Sequence, residues 1–185
     1  MRLSQEELAL RGARIRQLLR PISRNISGPA WSRLARGTDA VIIGTHDEAR
    51  PTSHYRDWRF AVHAKDHHAM YFEFWRLKTQ TRFSLEQAYL NIYQRVGSDE
   101  REIVCLHCDP LTAPNAEHGR YKRGPHIHMS TAGSPFDKAH IALSGPNIEP
   151  ALRSMATLHS AFAWGIEMIR DEILTLLDAR TVVSV

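Results

Sequence analysis

Two histidines separated by one isoleucine, in the stretch Gly124-Pro125-His126-Ile127-His128-Met129, are the residues of this chain whose types and spacing best fit chemistry. On a β-strand, side chains two apart share a face, so His126 and His128 stand together while Ile127 points the other way. Two imidazoles so placed suit one metal ion or one phosphate. His107 lies in a neighbouring strand-like stretch, and an antiparallel register brings it to the same face. Three convergent imidazoles fit a zinc, iron or manganese site, with Asp137 or His140 as a fourth group. The cofactor expected on that reading is a divalent metal, zinc or manganese. Without a metal, the same residues suit RNA cleavage. One histidine takes the 2′-hydroxyl proton, another protonates the leaving oxygen, and a cation steadies the phosphorane. Lys122 and Arg123, just before the pair, supply the cation, and Tyr121 supplies a stacking surface. A bland reading stands beside both, because a chain with 11 histidines places some of them together by coincidence on a polar face.

Cys105 and Cys108 form a C-x-x-C within reach of the same strands. A Cys2His2 zinc site with His126 and His128 is one arrangement. Against it, residues three apart on a strand face opposite ways, and a zinc knuckle needs a turn between its thiols. Buried thiols are the simpler expectation. Two cysteines do not make a disulfide framework, which fits a reducing cytoplasm.

Charge points toward an anionic partner. The net charge is +4, yet residues 1–36 hold eight arginines against Glu6 and Glu7, so that segment carries +6 and the remaining chain −2. Within it, Leu8, Ile15, Leu18, Leu19 and Ile22 follow a helical stripe; Ser4 and Glu7 have capping-box spacing, and Pro21 ends the helix. Its arginines Arg11, Arg14, Arg16 and Arg20 are the expected phosphate contacts on an outer face. Residues 23–39 read as a connector, with turn residues around Ser27-Gly28-Pro29 and then one short helix. Arg59 and Arg76 sit beside aromatics and read first as core-edge or ion-pairing residues.

The middle of the chain alternates with a period of two. Trp58, Phe60 and Val62 share one face; residues 65–68 make a turn, and Ala69–Lys78 returns as the second arm of a hairpin. Tyr89, Asn91 and Tyr93 alternate with Leu90, Ile92 and Gln94, which favours a strand over a helix there. It forms a second hairpin with residues 101–110. Residues 125–130 and 139–143 read as two short strands, and Ile148–Leu152 as a short helical turn. From residue 154 the period changes to that of a long helix whose apolar face holds Leu158, Phe162, Ile166, Ile169, Ile173 and Leu177. The expected architecture is α+β: an N-terminal amphipathic helix, an antiparallel meander sheet and a C-terminal helix packed on it. Residues 1–38 form a basic helical segment and 39–185 the α+β domain, together one globular unit. No apolar run approaches the ~18 residues of a membrane span, and no secretory signal is visible, so the chain reads as cytoplasmic.

The segment 88–178 resembles the small toxins of certain prokaryotic toxin–antitoxin modules, in which two antiparallel strands lead to an Asp-containing turn, a Gly-preceded H-x-H and a closing helix. The matching positions are Asp109, Gly124, His126 and His128. The resemblance implies a host-damaging or defence-associated activity on nucleic acid, RNA favoured, and a cognate protein partner. Residues 126–137 also resemble the H-x-H…S-x-x-D signature of JAMM-type zinc isopeptidases, with a shorter gap between His128 and Ser134. That likeness implies an upstream glutamate, for which Glu73 is the candidate. Three functions therefore stand: a histidine-dependent ribonuclease or phosphodiesterase, a non-enzymatic nucleic-acid-binding or complex-forming subunit, and a metal-dependent hydrolase. A homodimer through the C-terminal helix is a further expectation.

Overall fold

The computed structural model describes residues 1–24, 31–34, 39–46, 55–108, 125–130, 139–143 and 153–177. Among them, nine antiparallel strands form one sheet covered on one face by two helices. The elements are β1 (Arg2–Leu3), α1 (Gln5–Leu19), β2 (Trp31–Leu34), β3 (Ala40–Thr45), β4 (Phe60–Ala61), β5 (His67–Thr79), β6 (Arg82–Val96), β7 (Asp99–His107), β8 (His126–Met129), β9 (Ala139–Ala142) and α2 (Met155–Met168). A π-helical stretch, Ile169–Leu174, continues α2. The sheet order is β2-β3-β5-β6-β7-β8-β9, with β1 on β6 and β4 on β5. The α+β expectation holds.

Local chemistry accounts for the ends of these elements. Ser4 caps α1: its hydroxyl accepts from the Glu7 amide while the Glu7 carboxylate accepts from the Ser4 amide, satisfying two orphan donors. Gly97 turns β6 into β7 at φ 63, a left-handed conformation that glycine adopts without steric cost. The connector expected over 23–39 instead contains β2, which pairs with β3 from Trp31↔Gly44 to Leu34↔Val41. Its four residues are too short to announce a period of two beside a turn-rich stretch. Ile148–Leu152 lies outside the described residues.

The main core lies between sheet and helices. Leu8, Ile15, Leu18 and Leu19 of α1 meet Leu158, Phe162 and Ile166 of α2 over Tyr71, Leu90, Leu106 and Ile127. Gly165 lets α2 lie directly on β7, since a Cβ there would stand 2.6 Å from Leu106 Cδ2. The apolar face of the C-terminal helix is therefore spent on this chain's own sheet, so a homodimer through that helix would use its other side, where Trp164 and Leu176 are exposed. A second, smaller apolar cluster (Ile42, Trp58, Met70, Phe72) lies on the opposite face of the sheet.

One of the expected phosphate contacts is part of the core. Arg11 is fully buried, as is Glu73 of β5, and they form an ion pair at 2.6 Å. Arg11 is three residues after Leu8 and four before Ile15, so its phase puts it in the apolar stripe despite its charge. Glu73 also accepts from the Tyr71 hydroxyl at 2.5 Å and from Trp75 Nε1 at 3.0 Å. Burial alone would lower the Arg11 guanidinium; Glu73 and Tyr71 outweigh it and hold the pKa above its ordinary value. Arg14, Arg16 and Arg20 are exposed as expected.

Candidate functional site

β7 and β8 assemble the site. They are antiparallel, with His107 opposite His126 and Cys105 opposite His128. Leu106 and Ile127, between them, are fully buried in the core under the helices. The alternation of a strand therefore turns His107, His126 and His128 to the other face of the sheet. There the three rings converge: centroids are 5.2 Å apart for His107–His126, 4.1 Å for His107–His128 and 4.7 Å for His126–His128. One ring nitrogen from each lies within 4.8 Å of the other two. His126 is 2% exposed and His128 7%, so the pair does not stand on a solvated polar face. His107 is half-buried.

Neighbours on β6 and β7 complete the wall. The Tyr89 ring lies 4.2 Å from that of His107, edge-on. Asn91 is opposite Cys105 and donates from Nδ2 to Glu102 Oε2 at 2.6 Å. Glu102 reaches this face because the register shifts between Ile92 and Tyr93, leaving Ile103 without a partner on β6 and reversing the alternation. Tyr89 and Asn91 were visible as alternating residues; that they flank His107 depends on register, which a single strand does not reveal. Glu102 was hidden by the bulge.

The other expected site residues fall elsewhere. Cys105 is fully buried and is the Cα partner of His128 across the strands; Cys108, also buried and in no disulfide, belongs to the core on the helix side. The two thiols thus face opposite ways, and a Cys2His2 centre does not form. Glu73 is on the helix side too, bound to Arg11, so it does not stand in for the upstream glutamate of the isopeptidase pattern. His140 is the Cα partner of His128 on β9. Tyr121, Lys122, Arg123, Gly124, Asp109 and Asp137 lie outside the described residues. The turn expected over 65–68 is confined to 65–66, with Asp66 at φ 58, because His67 and His68 already pair as the start of β5. Arg59 and Arg76 form ion pairs with Glu100 and Glu86 at 2.9 and 2.7 Å. Among the described residues no helix is long and apolar enough to cross a membrane.

No protein-family model matches this chain, and neither a curated protein nor a solved structure matches it significantly.

Proposed function

We propose that the protein is a metal-dependent hydrolase of phosphodiester bonds, with His107, His126 and His128 holding a divalent ion, zinc before manganese, and RNA as the favoured substrate. The mutual approach of the three ring nitrogens carries this reading. Tetrahedral zinc with bonds of about 2.0–2.1 Å needs its nitrogens about 3.3 Å apart. The rings would have to turn toward the ion to close that difference from within 4.8 Å. An ion held by three imidazoles would leave one position open and would supply a Lewis acid able to lower the pKa of a water toward ~7.

Two rings that are 2% and 7% exposed leave an ion only the space between them to fill, and the half-buried His107 is the ligand a substrate would meet first. The basic exposed face of α1 (Arg14, Arg16, Arg20), on the side of the sheet away from the histidines, supports an anionic partner. The host-damaging or defence-associated setting, with its cognate protein partner, belongs to the same proposal.

The test is cleavage of end-labelled single-stranded RNA after chelation, with zinc or manganese restored. Metal-restored cleavage that is lost in His107→Ala, His126→Ala and His128→Ala supports the reading. Cleavage that survives chelation would shift it to acid–base chemistry by the histidines alone, and expression toxicity of wild type against His126→Ala tests the setting.

A further inference from the structure

A second site lies at the other end of the same sheet, where α1's exit, the end of β3 and the starts of β4 and β5 meet the end of β6. A cavity of about 520 Å³ opens there, within the range of small-molecule sites. Trp58 forms its apolar wall. The indole is 2% exposed and lies against Gly44 of β3, where a Cβ would stand 2.6 Å from Trp58 Cε3. Glycine is therefore required at that position for the wall to form.

Three guanidinium groups, Arg24, Arg59 and Arg95, line the cavity together with three carboxylates, Asp57, Asp66 and Glu100. The guanidinium charges are not equally compensated. Arg59 lies 4.6 Å over the Tyr93 ring and pairs with Glu100 at 2.9 Å, and Glu100 also takes His68 Nε2 at 2.8 Å. That carboxylate is consumed. Arg24 donates twice to the neutral carbonyl of His63, at 2.6 and 3.1 Å. Among the described residues, neither Arg24 nor Arg95 has a carboxylate within ion-pair distance. His67 lines the same cavity; its Nδ1 is turned to the Lys65 carbonyl at 2.5 Å, and its buried Nε2 has no hydrogen-bond partner there.

We infer that this cavity binds the phosphate of a nucleotide, with Arg24 and Arg95 on the phosphate and the base on the open face of the Arg59 guanidinium. Guanidinium forks match phosphate oxygens, and each such bond is charge-assisted. The inference does not depend on the histidine centre, from which it differs in every residue. The nucleotide has two sources, a free mononucleotide or one unit of a nucleic-acid strand, and their shared chemistry is the phosphate beside a flat base.

Titration followed by tryptophan fluorescence and calorimetry decides it, using inorganic phosphate, uridine monophosphate and a short single-stranded RNA as probes. Saturable binding of the mononucleotide or the RNA is expected. It should weaken by about tenfold or more in Arg95→Gln and further in Arg24→Gln/Arg95→Gln, while Lys78→Gln, outside both sites, binds as wild type. Equal affinity for the mononucleotide and the RNA identifies the free ligand; binding of RNA alone identifies a strand subsite. Absence of saturable binding by either nucleotide probe would overturn the inference. So would binding indifferent to both arginines, or lost in His126→Ala but not in the arginine variants. Both arginines are exposed, so the variants should melt as wild type does.

Discussion

Replacing Arg11 by methionine removes the cation from a carboxylate that is 0% exposed. Glu73 then keeps only the Tyr71 hydroxyl and Trp75 Nε1 as donors. An ionised carboxylate left in that position costs about 3–5 kcal/mol, a fifth or more of the ~5–15 kcal/mol by which a domain is stable. Glu73→Leu should cost a similar amount, because it strands Arg11 between Tyr71 and His159. The double variant Arg11→Met/Glu73→Leu removes both charges and refills the volume, so its loss should be far smaller than the sum, about 2 kcal/mol or less. Urea denaturation of all four proteins gives the cycle, and repeating it in high salt should change the coupling little, since solvent does not screen a buried pair. Arg11→Met within about 1 kcal/mol of wild type, or additive single losses, would refute the buried clamp between α1 and β5.

The clamp also shapes the response to pH. Burial first, and Arg11 next, hold the His159 ring below its ordinary 6.5. The unfolded chain therefore binds this proton more readily, so stability should fall as pH drops below about 6.5. His159→Gln should flatten that part of a pH–melting curve, and an unchanged slope would contradict it. Gly165→Val drives new atoms into Leu106 and should cost about 1–3 kcal/mol, read as a lower melting temperature; an unaltered melt would mean α2 sits farther from β7. The triple change Arg14→Gln/Arg16→Gln/Arg20→Gln should reduce the salt dependence of RNA binding by up to ~0.7 per lost phosphate contact. An unchanged slope removes α1 from the interface.

Much of the fold was legible because its signals are local. Ser4 and Glu7 announce α1, and the alternation around Tyr89, Asn91 and Tyr93 separates β6 from a helix. The histidine face followed from the same rule, since Leu106 and Ile127 had to enter the core. Arg11 was misplaced because residue type was given more weight than helical phase. Its buried partner Glu73 is 62 residues away, and no local pattern joins them. The cavity was invisible for the same reason: Arg24, Arg59 and Arg95 come from separate elements, and only sheet order brings them together. The bulge at Ile103, which turns Glu102 to the histidine face, leaves no mark in composition.

The central claim is that His107, His126 and His128 hold an ion. Elemental analysis of protein purified without chelator, alongside the three single alanine variants, tests it most directly. The account predicts about one zinc or manganese per chain in wild type, lost in each variant, with Ile127→Ala retaining metal but losing about 2–5 kcal/mol of stability as a buried truncation. Protein that carries no metal and takes none up on dialysis against zinc or manganese would contradict it, as would metal content unchanged by the histidine substitutions.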